Sequence, residues 1–91
     1  MKFRLLDLFS GIGGFSLAFE NAGKRVGIEV ETVAFCEMDE KAKLVLKKHW
    51  ANVPIYSDVK ELNYERLKRD GIIGEKGEPT EAIDIVVGGF P

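Results

Sequence analysis

The sequence predicts an α/β fold built on a parallel sheet, and three observations carry that expectation. Short apolar runs alternate with segments of helical spacing along the chain. The first run ends at an acid and turns at once through glycines into a helix, Asp7-Leu8-Phe9-Ser10-Gly11-Ile12-Gly13-Gly14-Phe15. Each predicted strand also ends in a polar or glycine-rich group: Asp7 to Gly14, Glu37 to Asp39, Ser57-Asp58 and Gly88-Gly89. In open α/β sheets these carboxyl ends share one edge, and ligands bind in the crevice there.

Phe3 to Leu8 is almost continuously apolar, as a strand covered on both faces should be. From Gly14, the residues Phe15, Ala18, Phe19 and Ala22 fall at i, i+3, i+4 and i+7, which puts them on one helix face, and Gly23 is expected to end that helix. Lys24 to Glu31 fits a short strand, a hairpin arm or an extended loop, and looks long for a connection to the second strand, Thr32 to Cys36. Asp39 then caps a helix through Trp50, with Ala42, Val45, Leu46 and His49 on one face and Lys43 and Lys47 toward water. Pro54 to Tyr56 is a brief third strand. Asn63 caps a helix from Tyr64 to Asp70, Gly71 to Thr80 reads as a polar surface loop, and Ile83 to Val87 is a fourth strand.

Composition narrows the function classes. Ninety-one residues make one domain at most, and 13 Lys plus Arg against 15 Asp plus Glu give a net charge of -2, with no basic block to bind DNA or an anionic membrane. One cysteine, Cys36, excludes an internal disulfide, and with a single histidine it leaves no Cys/His metal cluster to expect. No run approaches the ~20 apolar residues of a membrane span, so the expectation is a soluble, cytoplasmic chain without a membrane partner.

The glycine turn calls for positive φ and leads into a helix N-terminus, where unpaired N–H groups would seat an anionic group of a ligand. The dinucleotide fingerprint would need glycine at position 16, where Ser16 stands. Glu37 lies 24 residues past Gly13, near the distance at which such sites place an acid for ribose hydroxyls, so an adenosine-containing cofactor is favoured. Simpler roles stand beside these: Asp7 also reads as a cap of the glycine turn, Glu37 as a solvated residue before a helix, Asp58 as a turn or cap residue, and Cys36 as a small buried side chain.

These residues together resemble the cytosine-C5 DNA methyltransferases, which use S-adenosylmethionine. The stretch Asp7 to Phe15 looks like that family's first motif, and Cys36-Glu37-Met38-Asp39, Ser57-Asp58-Val59 and Gly88-Gly89-Phe90-Pro91 resemble the next three in order. The resemblance implies a Rossmann-like sheet of order 3-2-1-4. In its cofactor site Phe9 packs on adenine, Gly11, Gly13 and Gly14 lie by the methionine moiety, Glu37 holds the ribose and Asp58 reads the adenine amino group. Met38 and Val59 complete the adenine sandwich, and Phe90 and Pro91 lie next to the substrate. The nucleophilic cysteine of the family is expected immediately after Pro91, so no catalytic residue is assigned here. Residues 1–91 would then be the amino-terminal portion of the cofactor-binding domain, without the DNA-recognition domain. DNA is the expected partner of the full-length parent, in a restriction-modification setting. The fourth strand would lie at an open edge, favouring self-association or pairing with a missing segment. Alternatives are an inactive folding unit, a tRNA cytosine methyltransferase and, more distantly, a nucleotide-dependent oxidoreductase.

Overall fold

The computed structural model describes residues 2–74 and 82–88. Its elements run β1 (Lys2–Leu8), α1 (Gly14–Val26), β2 (Glu29–Cys36), α2 (Glu40–His49), β3 (Ile55–Tyr56), a 3-10 turn (Val59–Glu61), α3 (Tyr64–Arg69) and β4 (Ile85–Gly88). The strands form one four-stranded sheet in the order β3-β2-β1-β4, and all three pairings are parallel. The sheet expected of the sequence is therefore present, with the expected order.

Helices cover both faces, which is why β1 reads as a nearly unbroken apolar run. On one face Leu6, Ala34, Cys36 and Tyr56 pack with Leu67 of α3 and with Ile72. On the other, Phe35 meets the Trp50 ring edge-on at 5.1 Å, and Leu46 of α2 is fully buried. The β1–β2 register shifts between Leu5, paired with Thr32, and Leu6, paired with Ala34. That extra residue lets Thr32 and Phe35, three apart, face the same helical layer.

The segment Lys24 to Glu31 is not a long connection. α1 continues to Val26, Gly27 closes it in the left-handed region at φ 76°, and β2 begins at Glu29. Gly23 does not end the helix, contrary to the expectation from sequence; it is buried inside it, where an added Cβ would lie 2.4 Å from the Ile28 carbonyl oxygen. Its glycine serves close approach of helix to strand, while Gly27 serves the turn.

Two further expectations change. The apolar stripe Phe15, Ala18, Phe19, Ala22 does share a face, but all four residues are exposed, and the inward positions are Ser16, Glu20 and Gly23. Ile72, within the stretch expected to be a polar surface loop, is buried in the core; residues 75–80 of that stretch lie outside the described ones. α2 and α3 start at the predicted caps. Asp39 accepts from Lys41 N at 2.8 Å and Asn63 from Arg66 N at 2.8 Å. Among the described residues no helix is long and apolar enough to cross a membrane.

The two glycines separate by substitution. Gly23→Ala is expected to cost about 2 kcal/mol of unfolding free energy, because the clash is with backbone, and Gly27→Ala about 1 kcal/mol, for left-handed strain alone. Urea unfolding of the two variants checks the order; a larger loss at Gly27 would show that the close approach at Gly23 is not the tighter constraint.

Candidate functional site

The loop after β1 is built by its own chain. Phe9, Gly11 and Gly13 all take positive φ, at 52°, 55° and 90°, so the backbone reverses sharply before α1. Ser10 N donates to Cys36 O at 3.1 Å, extending the strand pairing into the turn, while Ser10 Oγ donates back to Asp7 O at 2.6 Å. Added Cβ atoms at Gly11 and Gly14 would meet nothing within 4 Å, whereas one at Gly13 would strike the Trp50 ring at 2.7 Å. Gly11 and Gly14 thus present open backbone, and Gly13 is a glycine for packing and for its φ.

Beneath the turn the layer between sheet and α1 is polar. Asp7 and Ser16 are both 0 % exposed, and Ser16 Oγ donates to Asp7 Oδ2 at 2.7 Å; Asp7 Oδ1 has no hydrogen-bond partner among the described residues. This explains the serine where a dinucleotide site would carry glycine, and the reading of Asp7 as a residue that fastens the turn and helix is the one the geometry supports. Farther along α1, Glu20 Oε2 accepts from Thr32 Oγ1 at 2.7 Å and from Trp50 Nε1 at 3.1 Å. One carboxylate so ties α1 to β2 and to the end of α2. Burial raises the Asp7 carboxyl above its ordinary value, outweighing the serine hydrogen bonds that favour ionisation.

Glu37, just past β2, bridges the neighbouring loop. Its Oε1 accepts from Gly11 N at 2.6 Å and its Oε2 from Asp39 N at 2.9 Å. Gly13 N is taken by Ser10 O at 2.9 Å. The Gly11 and Gly13 amides are therefore already paired, and acids border this turn. Each oxygen of Glu37 keeps a second lone-pair direction, so a carboxylate held by two backbone amides can still accept two more hydrogen bonds.

Asp58, past β3, caps the 3-10 turn by accepting from Lys60 N at 2.9 Å, and Glu61 Oε1 accepts from Asp58 N at 2.9 Å. The cap role weighed for Asp58 is thus present as a capping box, in which its side chain also accepts from the Glu61 backbone, and a carboxylate's four lone-pair directions leave acceptor capacity beyond these bonds. Glu37 N donates to Tyr56 O at 2.8 Å, which sets Glu37 beside the start of the Ser57-Asp58 corner. Met38 and Val59, the apolar residues next to these acids, are 69 % and 41 % exposed. On the α1 flank of the turn, Phe9, Ser10, Ile12, Gly14, Phe15 and Ala18 line an open groove of about 480 Å³. Phe90 and Pro91 lie outside the described residues. Cys36 is buried, as expected, and burial pushes its thiol up, aided by the charges of Asp58, Glu61 and Glu37.

The sequence reading missed Lys43. It was expected to point to water, yet its side chain is only 13 % exposed, and its ammonium bonds Ser57 Oγ and lies 3.3 Å from Glu40 Oε1. The signal available was its place one turn past the Asp39 cap, which aims it along the strand ends.

A family model described as C-5 cytosine-specific DNA methylase matches residues 3–91. The chain is 32 % identical over 88 residues, 97 % of its length, to the type II methyltransferase M2.BsuMI of Bacillus subtilis (strain 168), covering 17 % of that protein. It is 36 % identical over 90 residues, 99 % of its length, to the orphan methyltransferase M.Rho11sI of Bacillus phage rho11s, covering 15 % of it. Against the type II methyltransferase M.HpaII of Haemophilus parainfluenzae the figures are 33 % over 90 residues, 99 % of the chain and 20 % of the relative. The chain thus spans a fifth or less of the length of these relatives.

The buried acid makes a pH-dependent prediction. A carboxyl whose folded value lies above the unfolded 3.8 contributes stability that is complete below 3.8 and is lost as pH rises through the folded value. Asp7→Asn keeps an acceptor for Ser16 and never ionises. It is expected to gain on the unsubstituted protein as pH rises from about 4 toward neutrality, read as urea-unfolding free energy at a series of pH values. Parallel curves would show that Asp7 is not held above its ordinary value.

Proposed function

The chain belongs to the C-5 cytosine-specific DNA methylase family, and on that footing we propose that its strand ends bind S-adenosylmethionine for methyl transfer to carbon 5 of cytosine in DNA. The observation that carries this reading is Glu37, fixed by the amides of Gly11 and Asp39 with one acceptor direction left on each oxygen. That arrangement suits the two vicinal hydroxyls of a ribose.

The remaining residues support it by their chemistry. Asp58, at the adjoining strand end, accepts from the exocyclic amine of adenine. Phe9, Met38 and Val59 supply apolar walls for the purine. Gly11 and Gly14, with open backbone, let the methionine moiety approach. The bound cofactor supplies an activated methyl group on a sulfonium cation. A turn bordered by Glu37 and underlain by Asp7 favours such a cation over the pyrophosphate of a dinucleotide, which needs free amides. This argues against the oxidoreductase alternative.

No nucleophile is assigned within these residues. The chain holds one cysteine, and Cys36 is buried with its thiol pushed up, opposite to what a reactive thiolate requires. Residues 1–91 are read as the cofactor-binding portion of the catalytic domain, with Phe90 and Pro91 assigned to the substrate by the family resemblance alone. The relatives' DNA chemistry, the restriction-modification setting and a cytoplasmic location come to this chain by the same proposal. β4 pairs only with β1 among the described strands, which supports pairing of its other edge with one further strand.

Calorimetry of the intact protein with S-adenosylhomocysteine tests the site. Glu37→Ala is expected to weaken binding by about thirtyfold, near 2 kcal/mol, the scale of charged hydrogen bonds; no binding, or binding indifferent to this change, overturns the proposal. In methyl-transfer assays the intact protein should label DNA and not tRNA, and the 91 residues alone should read background. Sedimentation of the 91-residue chain at high concentration is expected to show association, and a sharp, stable monomer would remove the strand-edge reading.

A further inference from the structure

The cation at the β3 end of the sheet has no part in the reading above. Lys43 lies on the first turn of α2, and its long side chain crosses from that helix to the corner after β3, where the ammonium bonds the Ser57 hydroxyl. With 13 % of the side chain exposed, it is packed in place by the strand ends. Glu40 Oε1 stands 3.3 Å from the ammonium. The Ser57-Asp58 corner is held at its backbone by Glu61 Oε1, which accepts from Ser57 N at 3.2 Å and Asp58 N at 2.9 Å. The Ser57 side chain is held by Lys43 from across the β2–β3 boundary. The corner is thus gripped from two elements, and Asp58 sits at its centre.

We infer that Lys43 is a positioning residue for the purine end of the site: by holding Ser57 it fixes the direction of Asp58 and so sets the preference for an adenosyl over an inosyl ligand. The inference rests on the proposed role of Asp58 as acceptor of the exocyclic amine. A carboxylate aimed at that amine gains a charge-assisted hydrogen bond from adenosine and faces the carbonyl oxygen of inosine, so discrimination depends on aim.

The test compares S-adenosylhomocysteine with S-inosylhomocysteine on the intact protein by calorimetry. The unsubstituted protein is expected to prefer the adenosyl ligand by at least about tenfold, and Asp58→Asn to collapse that ratio. Lys43→Met, which keeps the apolar stem, is expected to cut the ratio about fivefold through the adenosyl ligand alone, Ser57→Ala to do the same, and Lys43→Arg to restore most of it. Equal losses on both ligands, or an unchanged ratio in Lys43→Met while Asp58→Asn collapses it, would overturn the inference and leave the site reading intact. A ratio indifferent to Asp58→Asn would overturn the reading of Asp58 and the inference together.

Discussion

The structure turns on the burial of Asp7 between β1 and α1. A strand that ends on an acid with no exposure needs a partner for that acid, and Ser16, on the first turn of the helix, supplies it at 2.7 Å. This one bond sets where α1 begins, and the start of α1 sets how tightly the intervening residues must turn. The positive φ angles at Phe9, Gly11 and Gly13 are the consequence. Once the turn has that shape, the Gly11 amide faces the end of β2, and Glu37 can reach it. Each step of the site follows from a carboxylate that the protein keeps out of water.

Electrostatics then decides what such a site suits. Glycine-rich turns before helices commonly present free amides to phosphate. Here the amides of Gly11 and Gly13 accept no visitor, because Glu37 and Ser10 already occupy them. Asp7 lies beneath the first turn of α1, where it accepts from the Ser16 hydroxyl. What remains at the surface is acceptor capacity on Glu37 and Asp58, flanked by exposed apolar side chains. A ligand that fits is a hydrogen-bond donor with a flat apolar portion and a positive charge, and an adenosylated sulfonium has all three properties.

Much of this was legible in the sequence, and the misses share a cause. The parallel sheet, the caps at Asp39 and Asn63 and the location of the acids at strand ends all follow from local signals: strands alternating with helices, side-chain oxygens before helices and polar residues after apolar runs; the order of the strands comes from the family resemblance. Periodicity found the apolar stripe of α1 correctly, but it cannot say which stripe faces inward. The inward one, Ser16, Glu20 and Gly23, is polar and small because its partners Asp7, Thr32 and Trp50 are contributed from elsewhere in the chain. Gly23 was read as a stop for the same reason, since a close approach by Ile28 has no local signature. Lys43 was placed in water because a lysine on a helix usually is, and only the adjacency of β2 and β3 brings Ser57 within its reach.

A polar seam under α1 has a cost that an apolar one avoids, for every buried donor and acceptor must be matched. Its compensation is directional. Apolar packing tolerates small slides of a helix over a sheet, whereas bonds of 2.7 Å from Ser16 to Asp7 and from Thr32 to Glu20 fix its rotation and its position along the sheet together. Trp50 adds a third constraint, its ring filling the space over Gly13 while its Nε1 donates to Glu20. Three anchors on one helix leave it little freedom to rock. The turn that α1 carries at its N-terminus inherits that rigidity, and so does the Gly11 amide that orients Glu37. A site that grips a small ligand through two hydroxyls loses affinity with small errors in aim, so a helix seated by hydrogen bonds suits the purpose better than one seated by a hydrophobic stripe.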